Sequence, residues 1–204
     1  MRRSGWGVAA AVRLARRAYL YLEGTPAAWL LGSGPARRLK SLVTRTPATE
    51  VARVLRALGD SGIAVIVAGG WGIDALAGRQ TRRHYDLDLV VAREQEQRAA
   101  SVLAALGYRR GTDEDMPGLP LPRRCPLYDD AGHAVELLPA APDGPPFTAV
   151  ADPYAPGRIG GQACTCLSVE LQRLLHQGYP PRACEPADLR VLSSVDPAAP
   201  AGGS

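Results

Sequence analysis

Apolar residues recur along this 204-residue chain with two different periods, and the changes of period mark out a succession of elements. In ATEVARVLRALGDSG, Val51, Val54, Leu55 and Leu58 share a helical face, and the glycines at 59 and 62 stop it. Thr46 or Thr49 is placed to cap that helix, with Pro47 suited to its first turn. IAVIVA, residues 63–68, is a short apolar run rich in β-branched residues and predicts a buried strand. A Gly-Gly turn breaks it, WGIDALAG predicts a short helix, and YDLDLVVA predicts a second strand in which Leu87 and Leu89 alternate with Asp86 and Asp88. Residues 93–108 predict an amphipathic helix ending at Gly107, followed by a loop rich in proline and acidic residues. GHAVELLPA predicts a third strand carrying Glu136, and RIGGQACTCLS a hairpin. SVELQRLLHQGY predicts a helix that Ser168 can cap, and EPADLRVLSS a last helical turn or two. The order α, β, α, β, α, β and then helices predicts a small α/β domain.

Ahead of this pattern, residues 7–22 can form an arginine-rich amphipathic helix, and a Gly/Pro-punctuated stretch links it to Pro47. The expected organisation is therefore a basic helical extension over residues 1–46, a domain over 47–192, and a disordered Pro/Gly tail over 193–204. An apolar fraction of 46% suffices for a core, which argues against disorder throughout. The net charge of +4 is mild and Lys40 is the sole lysine, so an anionic partner is allowed but not compelled. The N-terminal apolar run is interrupted by Arg13, Arg16 and Arg17, which excludes a membrane span there and makes a cytoplasmic protein the default expectation. Cys125, Cys164, Cys166 and Cys184 lack paired CxxC spacing, so free thiols are expected in preference to zinc.

Candidate chemistry concentrates in AGGWGIDALAGRQTRRHYDLDLVV, residues 68–91. On a strand, residues i and i+2 lie on one face, which sets the carboxylates of Asp86 and Asp88 side by side. Two like charges repel unless a cation lies between them, and hard oxygen ligands suit Mg²⁺ carrying substrate phosphates. Glu136 supplies a third carboxylate on the next predicted strand, as metal ligand, general base for an attacking hydroxyl, or both. Gly69 and Gly70 lie between a strand and a helix, where backbone N–H groups can approach a polyphosphate. Arg82 and Arg83 arrive just before the DxD strand, where either can grip a phosphate; His84 is a weaker candidate. A lone Gly-Gly is usually only a turn, and a lone DxD usually a solvated strand face. Their order along one chain is what points to chemistry.

These residues closely resemble the signature of the antibiotic nucleotidyltransferases that modify aminoglycosides at the 2″ position and of the lincosamide nucleotidyltransferases, within the polymerase-beta-like nucleotidyltransferase superfamily. The likeness runs from about Pro47 to Leu192 and includes VELLPA and SVELQRLLHQGYPP. The resemblance implies a mixed sheet flanked by helices and an enzyme using Mg²⁺ and a nucleoside triphosphate, ATP first. It implies transfer of a nucleoside monophosphate to a hydroxyl, with release of pyrophosphate. By position, Gly69 and Gly70 would face the phosphates, Asp86 and Asp88 would ligate Mg²⁺, and Glu136 would stand where a third acidic residue, often aspartate, is found. Tyr85 replaces a further acidic residue common there.

The acceptor stays open. An aminoglycoside or lincosamide antibiotic is the first expectation, and the acidic residues Asp113, Glu114, Asp115, Asp129 and Asp130 can attract a polycation or simply form a solvated loop. The basic N-terminal helix keeps two alternatives: a protein or tRNA acceptor, and a non-catalytic module binding nucleic acid or lipid. No stable nucleic-acid partner is expected under the leading reading.

Overall fold

The structure is a computed structural model that describes residues 45–115, 118–141, 143–178 and 185–195. The helix expected over residues 7–22 lies outside the described residues, as do residues 196–204 of the expected tail. Helix α1 (Ala48–Asp60) buries Val51, Val54, Leu55 and Leu58, the face that its periodicity marked. Neither threonine caps it: Pro47 holds the N-cap position with no side-chain bond. Thr46 is instead buried against strand β6 (Ala134–Ala140), where its hydroxyl accepts from the Ala134 N–H at 3.0 Å and lies 3.0 Å from the Ala134 carbonyl. It also lies 3.3 Å from the Tyr85 carbonyl, so one side chain bridges the entries to two strands.

The chain continues through β1 (Val65–Val67), α2 (Gly69–Ala77) and β2 (Leu87–Ala92). Strand β1 is shorter than residues 63–68 because Ala68 is already the helix N-cap and Gly69, at φ +58°, reverses the chain into α2. A 3₁₀ turn (Arg93–Gln95) precedes α3 (Glu96–Ala105), so the helix expected over 93–108 starts later, and Gly107 at φ +95° follows its end. The expected loop after Tyr108 contains three strands: β3 (Arg109–Arg110), β4 (Glu114–Asp115) and β5 (Arg123–Tyr128) precede β6. The expected hairpin is β7 (Tyr154–Ile159) and β8 (Gln162–Leu167), joined by Gly160 and Gly161 at φ +55° and +82°, a two-residue turn that needs positive φ. Ser168 Oγ accepts from the Leu171 N–H at 3.3 Å and opens α4 (Val169–Gly178). The last element, α5 (Glu185–Ser194), is a ten-residue helix that runs two residues beyond Leu192.

The sheet is mixed, in the order β3-β5-β6-β2-β1-β8-β7, with β4 paired to β5. Strands β2 and β6 are parallel, as are β1 and β8, whereas β1–β2, β5–β6 and β7–β8 are antiparallel. Alternation divides the side chains between two cores. Leu87, Leu89, Val91, Val135 and Leu137 meet α1 and α3, while Val90, Leu138 and Ala140 join Leu171 and Leu175 of α4 on the other face. Complete burial of such a side chain contributes about 1.5–3 kcal/mol, so both faces lock the register of the central strands. Helix α2 approaches β7 closely because both contacts are small: a Cβ on Gly157 would stand 2.8 Å from the Ala75 Cβ.

At the outer edge of the first core, Glu50 accepts from Tyr108 Oη at 2.7 Å and pairs with Arg53 at 2.6 Å, and Asp129 engages His133 Nδ1 at 2.7 Å. Burial works to raise both acids, but Arg53 and Tyr108 at Glu50, and His133 at Asp129, outweigh it and hold both below their ordinary values. Depressed folded-state values mean that the unfolded chain takes up protons first, so stability is present above the ordinary values of 4.5 and 3.8 and is lost as pH falls below them. Urea titrations between pH 7 and pH 3 should show a steep acid limb, and the double variant Glu50→Gln, Asp129→Asn should be weaker at pH 7 yet flatter across that limb.

Candidate active site

The parallel register of β2 and β6 sets Asp88 directly beside Glu136. Asp88 shares its face with Val90, and Glu136 with Leu138 and Ala140, so the two carboxylates are on the α4 side of the sheet. Asp86 stands one residue ahead of β2 and two ahead of Asp88. The three predicted acids are thus brought to one end of two adjacent strands. Asp86 and Asp88 are half-buried, whereas Glu136 is buried and pairs with Arg124 at 3.0 Å. Arg124 lies on β5 two residues from Pro126, the cross-strand partner of Glu136, in a segment whose proline and charge content predicts a loop.

The Gly-Gly pair opens α2 against the same end. Ala68 N donates to the Asp88 carbonyl at 2.9 Å, which lays Gly69 across β2. A Cβ on Gly69 would stand 3.0 Å from Asp88 Cγ and closer still to Oδ2, and its φ of +58° independently requires glycine. The Gly69 carbonyl accepts from Gln172 Nε2 of α4 at 3.4 Å, and a Cβ on Gly72 would displace that amide at 2.5 Å. Gln172 is fully enclosed and was not anticipated.

Gly70 faces the turn before β2. A Cβ there would stand 2.5 Å from Arg82 Nη2 and 2.7 Å from His84 Cε1. Arg82 reaches this point while its Nε and Nη2 donate to Asp188 of α5 at 2.8 and 2.9 Å. Arg83 is exposed, and its carbonyl, not its side chain, meets Arg82 at 3.2 Å. His84 is buried, stacks on Trp71 with ring centroids 4.5 Å apart, and bonds through Nε2 to Asp74 Oδ2. Thr81 Oγ1 donates to the other oxygen of Asp74. Of the predicted phosphate contacts, Gly69, Gly70 and Arg82 therefore come together, and Arg83 is exposed.

Several other acids are already committed. Asp113, held below its ordinary value chiefly by Arg110, also pairs with Arg123 at 2.9 Å, and Asp130 pairs with Arg109. Glu114 and Asp115 are exposed and lie across from Arg124 and Arg123. Among the described residues, trios of metal-capable side chains with ligand atoms within 4.8 Å of one another are Glu50, Asp129, His133 and Glu96, Asp113, Cys125, each already bound into ion pairs. Asp86, Asp88 and Glu136 do not close to that distance. Cys125 on β5 and Cys164 and Cys166 on β8 are separated by three strands, about 19 Å at about 4.8 Å per spacing. Burial pushes the Cys125 thiol up to about 11 and Cys166 to about 12, which matches inert free thiols. No described helix is long and apolar enough to cross a membrane.

A mixed sheet with two paired carboxylates beneath a glycine-opened helix defines the fold class of the nucleotidyltransferases. A model of the family described as aminoglycoside-2''-adenylyltransferase matches residues 50–192, and the chain belongs to that family. It is 25% identical to a lincosamide resistance protein from Staphylococcus haemolyticus over 138 residues, which span 62% of this chain and 82% of that protein. A 64-residue segment, 31% of this chain, is 34% identical to 36% of a 2''-aminoglycoside nucleotidyltransferase from Escherichia coli. Among solved structures, the lincomycin-bound lincosamide antibiotic adenylyltransferase LnuA matches with a TM-score of 0.61 at 23% identity, over 75% of this chain and all of that one (100%). ANT(2'')-Ia in complex with adenylyl-2''-tobramycin matches with a TM-score of 0.56 at 22% identity, over 72% of this chain and 87% of that one. At these identities the structural likenesses establish the fold.

Two glycines separate strain from function. Gly78, at φ +65° with nothing within 4 Å of an added Cβ, should lose only about 1–2 kcal/mol as Gly78→Ala. Gly69→Ala should lose at least as much and also displace the Asp88 carboxylate. Urea unfolding and turnover of both variants check this: only Gly69→Ala should lose activity out of proportion to stability.

Proposed function

We propose that the protein is a Mg²⁺-dependent nucleotidyltransferase that moves a nucleoside monophosphate, AMP first, from a nucleoside triphosphate to a hydroxyl of a small molecule and releases pyrophosphate. The acceptor proposed is an aminoglycoside or lincosamide antibiotic, and the activity belongs to residues 47–192. One observation carries the reading: the register that sets Asp88 beside Glu136, with Gly69 lying against Asp88. The family membership and the adenylyltransferase relatives support it.

The donor set suits the ion. Asp86, Asp88 and Glu136 offer hard carboxylate oxygens, and Glu136 already accepts a cationic partner in Arg124. When bound there, Mg²⁺ would neutralise phosphate charge and polarise the transferring phosphoryl group. The chain's own residues do the rest. Gly69 and Gly70 allow the triphosphate to approach the first turn of α2, whose partial positive charge favours anions. Arg82 supplies a fixed guanidinium beside them. Glu136, buried and paired with Arg124, is assigned as a metal ligand, with general base as its alternative role. The pairing of Asp113 and Asp130 with arginines removes much of the negative surface expected to draw a polycation, which favours lincosamides within the acceptor panel.

Incubation with labelled ATP, GTP, CTP or UTP, Mg²⁺ and a panel of both antibiotic classes tests the reading, with transfer of label to an acceptor as the expected result. Absence of both transfer and nucleotide binding would sink it. Asp86→Ala and Asp88→Ala should fold normally by circular dichroism and lose turnover about a hundredfold or more. Wild-type rates in either would remove that residue from the metal site.

A further inference from the structure

We propose that Arg124 is an internal cation that competes with a divalent metal ion for the Glu136 carboxylate, so that the ion is held there only as the guanidinium is released. This rests on the nucleotidyl-transfer reading and on the metal-ligand role which that reading gives Glu136.

The register places the pair. Pro126 of β5 lies opposite Glu136 of β6, and Arg124, two residues before Pro126, shares the face that carries Glu136. Arg124 Nη1 donates to Glu136 Oε2 at 3.0 Å, with the two side chains only 14% and 5% exposed. Bulk water therefore screens the contact little. A guanidinium and a divalent ion on that one carboxylate would repel each other across the same poorly screened space, which makes the two cations alternatives. Glu136 is also the deepest of the three acids, since Asp86 and Asp88 are half-buried. A buried carboxylate is costly without a counter-charge, and Arg124 supplies one from within the chain. The released guanidinium has a second acid within reach. Glu114 of β4 lies directly across the ladder from Arg124 and is exposed. Cross-strand neighbours stand about 4.5–5.5 Å apart at Cβ, so rotation of the arginine side chain exchanges one acid for the other without movement of the strand. The adjacent Arg123 does not share this role, because alternation turns it to the opposite face, where it meets Asp113 at 2.9 Å.

Full-length wild type, Arg124→Met, Arg123→Met, Glu136→Gln and the double variant Arg124→Met, Glu136→Gln are compared by equilibrium binding of Mn²⁺ without nucleotide, read from the electron paramagnetic resonance of the free ion. Arg124→Met should bind Mn²⁺ about tenfold tighter than wild type, because no internal cation has to be displaced. Arg123→Met, which removes the same charge from the other face, should stay within about twofold of wild type. In the Glu136→Gln background, Arg124→Met should also shift binding by less than about twofold, since the carboxylate under competition is gone. Thermal midpoints give a second reading: Arg124→Met should be less stable than wild type in EDTA and should gain more from Mn²⁺, which restores a cation to Glu136. Arg124→Met that binds Mn²⁺ no tighter than wild type overturns the proposal. Equal tightening in the Glu136→Gln background also overturns it, by reducing Arg124 to a distant charge. If Arg124→Met does not fold, Arg124→Gln carries the same expectations and decides the question. Wild-type protein that neither transfers a nucleotide nor binds triphosphate would refute the underlying reading, a result distinct from wild-type turnover with Mn²⁺ binding unaltered in Arg124→Met, which refutes the exchange alone.

Discussion

The site depends on one pairing, the parallel ladder in which Asp88 lies beside Glu136. A slip of one residue would turn Glu136 toward the α1–α3 core and bring Val135 or Leu137 into its place. Burying an uncompensated carboxylate among Leu87, Leu89 and Leu103 is far costlier than any gain from the exchange, so the two apolar cores enforce the alignment of the acids. Thr46 adds a local clamp. Its hydroxyl spans the Tyr85 carbonyl and the backbone of Ala134, the positions just ahead of the two acid-bearing segments, and its N–H donates to the His84 carbonyl at 3.2 Å. A residue placed before the first helix thus sets the start of both central strands.

The second constraint is the absence of side chains. Helix α2 can lie across the end of β2 only because Gly69 has no Cβ to strike Asp88, and it can turn there only because Gly69 tolerates positive φ. Gly70 leaves room for Arg82 and His84, and Gly72 for Gln172. Three glycines within four positions therefore serve three different neighbours, on β2, on the preceding turn and on α4. Their density at the head of a helix would be destabilising on propensity alone. Close packing of polar groups around the turn offsets it.

Much of this was legible because the relevant contacts are periodic or local. Helix α1, strands β2 and β6, the Gly160–Gly161 hairpin and the Ser168 cap all follow from spacing, and the proximity of Asp86 to Asp88 follows from strand geometry. Strand β5 was hidden because Arg123, Arg124 and Pro126 look like loop chemistry, and proline within a strand argues against the assignment. Its ladder partners on both sides supply what its own sequence does not. Arg124 and Asp188 were missed for a different reason: each acquires meaning only from a residue across the fold, Glu136 in one case and Arg82, 106 positions away, in the other. Thr46 showed the opposite error, since a threonine before a helix reads as a cap until a tertiary partner claims it. The acidic loop likewise read as free negative charge because the arginines that answer it lie on neighbouring strands.

Charge is divided across the site in a way that limits what it can hold. The acids Asp86, Asp88 and Glu136 belong to the strand ends, whereas the cationic group Arg82 and the imidazole of His84 belong to the turn and lie on the far side of Gly69 and Gly70. The proposed metal–triphosphate would set its cation against the acids and its phosphates toward the glycine turn, with the boundary between its charges falling where Gly69 lies on Asp88. That boundary is also where the backbone is tightest, so any movement of α2 relative to β2 changes the spacing between the two halves at once. The bracing of Arg82 by α5 and of Gly69 by Gln172 on α4 makes this spacing a property of the whole helical layer, and a substitution in either helix can reach the site without touching a ligand.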